Sequence, residues 1–142
     1  MYDKLKERIK IHEGFRNYCY KDSLGKLTVG YGHLCKPQEA WDEGQEYDIE
    51  MLEQYFEQDF SFALAGAESL IGNVEIPQEG KEVIIEMVFQ LGKMGVSKFS
   101  KMWKAIDKQD YEEAANQMLD SRWHKQTKSR AESLATIMRS LA

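Results

Sequence analysis

The sequence predicts a mainly helical α+β fold in which a small β-hairpin lobe is followed by a larger helical lobe. Alternating apolar and polar residues with a turn between them occur only in residues 18–31, whereas apolar residues at helical spacing dominate from Asp48 onward. The 142 residues are 42% hydrophobic and 11% aromatic, enough for one packed domain. We expect a single domain, 1–142, with lobes of about residues 13–60 and of 1–12 plus 61–142.

The N-terminal segment predicts an amphipathic helix followed by the hairpin. The predicted inner face of this helix is formed by Tyr2, Leu5, Ile9 and His12. Asp3 is the expected N-cap, and Gly14 is suited to end the helix because glycine readily adopts a left-handed backbone. Hairpin strands are predicted at residues 18–20 and 27–31, joined by a turn over residues 21–25.

Four further helices are predicted from periodicity and capping patterns. Asp48 precedes a periodic run through Phe62, and the very apolar residues 83–91 before Gly92 indicate a buried central helix. Two capping-box patterns open the others, Asp110-x-x-Glu113 and Ser129-x-x-Glu132.

The sequence indicates neither a leader segment nor a cofactor. The first ten residues alternate charged and apolar positions, unlike a secretory signal, so we expect the protein to stay in the cytoplasm in which it is made unless something else releases it. Cys19 and Cys35 have no C-x-x-C spacing and no nearby cluster of metal ligands, which favours two free, packed thiols. No metal and no organic cofactor is expected.

The charge is unevenly distributed along the chain. The formal net charge of −5 argues against a nucleic-acid binder. Residues 1–92 hold 9 Lys/Arg and 18 Asp/Glu, whereas residues 93–142 hold 10 and 6. The basic C-terminal third either attracts an anionic wall polymer or is simply a solvated surface.

Glu13 and Asp22 are candidates for a glycosidase carboxyl pair, although a chain with 24 acidic residues contains many other Glu/Asp pairs that are simply solvated. Hydrolysis of a glycosidic bond needs one protonated and one ionised carboxyl group on opposite sides of the bond. Glu13 falls at the predicted C-terminal end of the first helix, where the helix dipole favours the protonated acid. Asp22 falls in the hairpin turn, where backbone donors and water favour the carboxylate. We expect the substrate in a cleft between the two lobes.

Three blocks, in order along the chain, resemble the phage T4-type lysozymes. The first resembles the active-site signature of that family, with the same spacing from Glu to Asp and from Asp to Thr. The blocks are His12-Glu13-Gly14 with Tyr20-Lys21-Asp22 and Leu27–Leu34, Met87–Gly92 with Gly95-Val96, and Glu113–Ala115 with Ser121–Trp123 and Gln126-Thr127. The resemblance covers nearly the whole chain and implies a lysozyme-like, two-lobed fold.

This resemblance also implies a catalytic mechanism. Glu13 would be the general acid, Asp22 would guide a water, and Thr28 would help to place that water. The expected reaction is inverting hydrolysis of the β-1,4 bond between N-acetylmuramic acid and N-acetylglucosamine, which serves bacterial lysis. Carboxyl groups of inverting enzymes stand roughly 6.5–9.5 Å apart.

The family also implies substrate-binding and supporting residues. Leu34 and Phe89 match positions that contact sugar rings, although ordinary core packing explains Phe89 equally well. Met102 and Gln117 stand where the family carries Ser and Asn, so both are candidate substrate contacts, of which only Gln117 can still hydrogen-bond a sugar.

Three other matching positions are interpreted as supporting the site. His33 is expected to pair structurally with Asp59. Arg130 matches an arginine near the catalytic glutamate, and such a pairing would lower the pKa of Glu13 and oppose the effect of the helix end, so the sequence leaves the protonation of Glu13 open. Residues 36–44 are expected to lack a helix, because this part of the chain is shorter than in the best-known family member.

Two alternatives remain at this stage. A lytic transglycosylase would cleave the same bond without needing Asp22 and Thr28, and a catalytically silent wall-binding module would need none of the three residues. The expected partner is the peptidoglycan glycan strand, with no nucleic acid, no stable membrane association and a monomeric chain.

Overall fold

The computed structural model describes all 142 residues. The chain folds into two compact units, Met1–Phe62 and Ala63–Ala142. Seven α-helices and one small antiparallel sheet make up the fold, which confirms the predicted mainly helical α+β class. None of the helices is both long enough and apolar enough to span a membrane.

The first unit contains helix α1, a three-stranded sheet and the start of helix α2. Its elements are α1 (Asp3–Glu13), β1 (Arg16–Lys21), β2 (Leu27–Gly30), β3 (His33–Leu34), a 3-10 turn (Pro37–Glu39) and α2 (Ile49–Ile71). The strands pair in the order β1-β2-β3, both pairs antiparallel. The predicted hairpin is confirmed, whereas the two-residue strand β3 was too short to be predicted from alternation.

Helix α1 starts one residue earlier than its sequence suggested. Tyr2 occupies the N-cap with a φ of 67° and provides no side-chain cap, so the predicted N-cap role of Asp3 is wrong. Asp3 lies instead in the first turn, where its negative charge interacts favourably with the helix dipole. Gly14 ends the helix, as expected, but its φ of 74° and ψ of 173° differ from the left-handed helical conformation that was predicted for it.

Two salt bridges connect α1 to α2 within the first unit. Lys6 Nζ lies 2.6 Å from Glu57 Oε1, and Lys10 Nζ lies 2.9 Å from Glu53 Oε2. These contacts explain why residues 1–12 group with the first unit, whereas the sequence analysis assigned them to the helical lobe.

A small apolar core lies on one side of the sheet. It is formed by Cys19, Val29 and Leu52, with Leu27, Cys35, Trp41 and Tyr47 packed against it. The chain after the 3-10 turn returns along the outer edge of β1, because the N–H of Cys19 donates to Gln45 O at 3.1 Å and the N–H of Gly44 donates to Cys19 O at 2.7 Å. Residues 36–44 hold no α-helix, as predicted, and only this one 3-10 turn.

The second unit consists of helices. After the end of α2 they are α3 (Gln78–Ser97), α4 (Ser100–Asp107), α5 (Tyr111–Leu119), α6 (Arg122–Gln126) and α7 (Lys128–Arg139). The predicted central helix is confirmed, since residues 83–88 of α3 are all buried. Gly92 interrupts its helical geometry with a φ of 80° and a ψ of 158°.

The two predicted capping boxes have different outcomes. Asp110 caps α5 by accepting a hydrogen bond from the N–H of Glu113 at 3.2 Å, as expected. Ser129 does not open a helix, because α7 already begins at Lys128 with Thr127 as its N-cap. Ser121 is an unpredicted cap, and its Oγ accepts from the N–H of His124 at 3.1 Å.

Candidate active site

Glu13 is the last residue of α1, and its carboxyl group lies against Gly32 in the turn between β2 and β3. A Cβ atom built on Gly32 would collide with Glu13 Oε1, and the φ of +74° at Gly32 also disfavours any other residue there. The absence of a side chain at position 32 is therefore what allows the Glu13 carboxyl group to lie on the sheet.

Asp22 directly follows β1, and its side chain organises the turn that leads to β2. Its Oδ1 atom accepts hydrogen bonds from the backbone N–H groups of Leu24 and Lys26, each at 2.9 Å. Oδ2 makes no hydrogen bond to the protein and is available to a substrate or a water.

Tyr20 lies within electrostatic range of both candidate carboxyl groups. Burial raises the pKa of Tyr20, the charge of Arg16 opposes this, and the negative charges of Glu13 and Asp22 add to the rise. The Arg16 guanidinium carbon lies 4.2 Å from the centre of the Tyr20 ring. The two acids predicted from the sequence therefore lie near the same tyrosine.

Thr28 is the strand neighbour of this tyrosine. It pairs with Tyr20 on β1 and with Leu34 on β3, so these three side chains share one face of the sheet. Thr28 is buried, and its Oγ1 donates a hydrogen bond to Lys26 O at 3.0 Å. Because its proton is used in this way, the hydroxyl group can offer only lone pairs to an incoming water. Leu34 is 50% exposed, as a sugar contact requires.

His33 is the centre of a polar cluster in the same unit. Its Nδ1 lies 2.8 Å from Asp59 Oδ2, which confirms the predicted pair, and its Nε2 lies 3.0 Å from Glu39 Oε1. Trp41 Nε1 also donates to Glu39 Oε1, at 2.8 Å. The ring of Tyr55 packs 4.6 Å from the His33 ring, centre to centre.

The cluster shifts the titration of both His33 and Glu39. Burial lowers the pKa of His33, but its hydrogen bonds to Asp59 and Glu39 raise it more, so that the pKa lies above its usual 6.5. Burial raises the pKa of Glu39, but hydrogen bonds from His33, from the N–H of Lys36 and from Trp41 leave it below the usual 4.5. Each group thus stabilises the charged form of the other.

The second unit has a cavity of about 590 Å³ beside α4 and α5. Its lining includes Lys98, Lys101, Met102, Gln117, Arg122 and Trp123. Gln117 Nε2 donates to Glu113 Oε2 at 2.8 Å, which leaves its side-chain carbonyl oxygen for a ligand. Met102 is 0% exposed, so a sugar would touch it only after a neighbouring side chain moved.

Phe89 and Arg130 are the remaining candidates. Phe89 is partly exposed on α3, three residues before the break at Gly92. Arg130 is buried, and its Nε donates to Glu86 Oε2 at 2.9 Å. This pair between α7 and α3 was not predicted from the sequence.

Comparison with known proteins identifies the family. The sequence model of phage lysozymes matches residues 10–140. The chain belongs to the phage lysozyme family. It is a lysozyme, an enzyme of the muramidase class that hydrolyses peptidoglycan.

Relatives of this lysozyme occur in different settings. Probable T4-type lysozyme 2 of Dictyostelium discoideum is 30% identical, with 96% of this chain and 94% of the relative aligned. Probable T4-type lysozyme 1 of the same organism is 29% identical over 97% and 95% of the two chains. The pre-baseplate central spike protein Gp5 of Enterobacteria phage T4 is 29% identical over 94% of this chain but only 27% of its own length.

Sequence reasoning about this lysozyme missed contacts that depend on distant residues. Gly32 was quoted only as part of a motif, although the Gly-Tyr-Gly run at residues 30–32 signals an unusual backbone there. The hydrogen bonds of Glu39 and Glu113 were not predicted, because Glu39 lies in a 3-10 turn without a sequence signal and Glu113 was interpreted only as a helix-capping residue and as part of a motif.

Proposed function

We propose that this lysozyme cleaves the β-1,4 bond between N-acetylmuramic acid and N-acetylglucosamine with inversion at the anomeric carbon. The observation that supports the proposal is that Glu13 lies at the end of α1 against Gly32, in the turn after β2, while Asp22 lies in the turn that joins β1 to β2. The two elements present carboxyl groups in different surroundings, as a general acid and an ionised partner require.

Glu13 is the proposed general acid. Glu13 lies at the end of α1, where the carbonyl groups of the helix carry partial negative charge. In the reaction, Glu13 gives its proton to the glycosidic oxygen as the bond to the anomeric carbon breaks. The released N-acetylglucosamine thereby gains a 4-hydroxyl group.

Asp22 and Thr28 are proposed to hold the attacking water. A water that donates one hydrogen to Asp22 Oδ2 and the other to Thr28 Oγ1 directs its lone pair at the anomeric carbon. The hydrogen bond from Thr28 Oγ1 to Lys26 O supports this role, because it orients the hydroxyl group as an acceptor. Asp22 takes the proton that the water loses on attack.

Leu34, Phe89, Met102 and Gln117 are the proposed substrate-binding residues. Leu34 offers exposed apolar surface to a sugar ring. Gln117 offers a carbonyl oxygen that can accept from a sugar hydroxyl or acetamido N–H group, and Glu113 fixes the orientation of this amide. Met102 acts from behind the cavity wall, by shape alone.

The exposed lysines of α4 and of its C-cap are proposed to guide the enzyme to its anionic substrate. Lys101 and Lys104 lie on α4, Lys108 caps its C-terminal end, and their spacings of three and four residues place them on one side. None of them lies within 4.0 Å of a carboxylate. We further propose a monomer without nucleic-acid or stable membrane partners, held in the host cytoplasm until it is released for cell lysis.

A turbidity assay on purified peptidoglycan tests the proposed roles. Glu13→Gln and Asp22→Asn should each slow clearing by about 10²–10⁴-fold while melting near the wild-type temperature. Glu50→Gln, at an exposed position on α2, serves as the control and should clear normally. Wild-type rates in both active-site variants would refute the assignment.

Product analysis tests the stereochemistry and the transglycosylase alternative. NMR during the first minutes of cleavage should show the α-anomer at the new reducing end, because inversion converts a β bond to an α product. A β-anomer would indicate a retaining enzyme, and an anhydro-sugar end would indicate a lytic transglycosylase.

A further inference from the structure

Two cysteine thiols meet in the apolar core on one side of the sheet. Cys19 Sγ lies 3.5 Å from Cys35 Sγ. Cys19 is on β1 and is 1% exposed, whereas Cys35 follows β3 and is partly exposed. The proposed mechanism, which uses the Glu13 and Asp22 carboxyl groups, does not use either thiol.

The pair connects the two outer strands of the sheet. β2 lies between β1 and β3, and the N–H of Cys35 extends this pairing by donating to Leu27 O at 2.9 Å. The chain between the two cysteines contains Asp22, Thr28 and Gly32. A covalent bond between the thiols would therefore close a loop around three residues of the candidate active site.

Formation of that bond requires movement of the backbone as well as of the side chains, because β2 separates the two strands and neighbouring strands lie about 4.8 Å apart. A disulfide requires a sulfur–sulfur distance of about 2.05 Å, so the two atoms must approach by about 1.5 Å. Rotation of the two side chains can supply part of this distance, and small shifts of the short strand β3 can supply the rest.

We propose that Cys19 and Cys35 form an intramolecular disulfide when the folded enzyme meets a small-molecule disulfide oxidant, with Cys35 as the attacking thiol and Cys19 as the resolving one. The order follows from exposure, because only Cys35 is accessible to the oxidant.

The exchange proceeds in two balanced steps. Cys35 loses its proton to solvent, and its thiolate attacks one sulfur of the oxidant, which breaks the oxidant's disulfide and releases one thiol. Cys19 then loses its proton and attacks Cys35 Sγ, which releases the second thiol. Two protein thiols are oxidised to one disulfide, and the oxidant is reduced to two thiols.

The reaction is slow and accelerates with pH. Burial, together with the contact with Cys19, raises the pKa of Cys35 to about 12, so only a small fraction is thiolate near neutral pH. Below that pKa, the thiolate fraction and hence the rate rise about tenfold for each pH unit.

Mass spectrometry of the full chain after incubation with oxidised glutathione tests the proposal. Wild type should lose two hydrogens, carry no glutathione and lose both sites for alkylation after unfolding. Cys19→Ser should retain one glutathione on Cys35, and Cys35→Ser should remain unmodified in the folded state. The oxidised wild type should melt about 5–10 °C higher than the reduced form.

Two results would overturn the inference. One is a wild-type chain that keeps two alkylatable thiols, or accumulates a stable mixed disulfide, under conditions that oxidise the same chain in denaturant. The other is a Cys19→Ser variant, folded by circular dichroism, whose Cys35 does not react. Both readouts are masses and do not depend on the proposed glycosidase roles.

Discussion

At the scale of single residues, the candidate site depends on a missing side chain at Gly32 and on a hydroxyl proton of Thr28 that is already used in a hydrogen bond. Gly32 has no side chain, and the Glu13 carboxyl group occupies the space that a Cβ atom would take. The hydroxyl proton of Thr28 is already used by Lys26 O, which leaves this residue only an acceptor role. Identical residue types in another backbone arrangement would not form the same site.

Gly32→Ala tests the close approach of Glu13. The new methyl group should displace the carboxyl group and reduce clearing of peptidoglycan at least tenfold, because small misplacements of catalytic groups cost large factors in rate. The positive φ should also cost about 1–2 kcal/mol of folding free energy.

Gly72→Ala is the matched control for that substitution. Gly72 also has a positive φ, of +54°, but it lies after α2 in the second unit, and a Cβ atom there would meet no atom within 4 Å. It should lose comparable stability in thermal melts while keeping most of its activity. Equal losses of activity in the two variants would show that backbone strain alone, rather than contact with Glu13, matters.

At the scale of elements, His33 joins three separate pieces of the first unit. It lies on β3, Asp59 lies on α2, and Glu39 ends the 3-10 turn. Trp41 adds a hydrogen bond to Glu39, so the chain after the sheet is held by polar contacts rather than by a regular element. These polar contacts hold residues 36–44, which contain no α-helix.

The cluster predicts a definite dependence of stability on pH. Because the folded-state pKa of His33 is raised, its contribution is complete below the unfolded value of 6.5 and is lost as the pH rises through the folded value. Because the pKa of Glu39 is lowered, its contribution is present above 4.5 and is lost as the pH falls through its folded value.

Urea titrations of wild type and His33→Gln measure this dependence. At pH 6 the variant should be less stable by about 1–3 kcal/mol, since it loses hydrogen bonds between charged groups. The difference should shrink steadily towards pH 9. A difference that grew with pH would contradict the assigned direction of the His33 shift.

At the scale of the whole molecule, charge is separated along the chain. The net charge is −5, yet residues 93–142 hold 10 Lys/Arg against 6 Asp/Glu. Several of these cations line or adjoin the cavity of the second unit, including Lys98, Lys101 and Arg122. We therefore expect attraction to an anionic polymer to depend on this local surface and not on the overall charge.

A double variant, Lys101→Gln with Lys108→Gln, tests this basic surface. At low salt, the amount of enzyme that co-sediments with wall fragments should fall by roughly 3–10-fold. The control, Lys4→Gln combined with Lys36→Gln, removes the same charge from exposed positions of the first unit. Equal weakening by both pairs would mean that only net charge matters. Salt near 0.5 M should remove the difference between wild type and both variants.

The sequence alone determined the features that neighbouring residues control. Helical periodicity, the Asp110 cap, the Gly14 helix end and the spacing of Glu13, Asp22 and Thr28 are all local, and the ordered blocks together identified the family. The error of one residue at Asp3 and the misplaced start at Ser129 show how weakly local patterns define boundaries.

Only the tertiary structure decided which distant groups meet. Nothing near Glu39 in sequence indicates that it would bind His33, and nothing near Glu86 indicates a buried partner at Arg130. The same holds for Gly32 beneath Glu13 and for the contact between Cys19 and Cys35. Such pairs form because whole elements pack in one arrangement, and the free energy that selects this arrangement is shared by many residues across each unit.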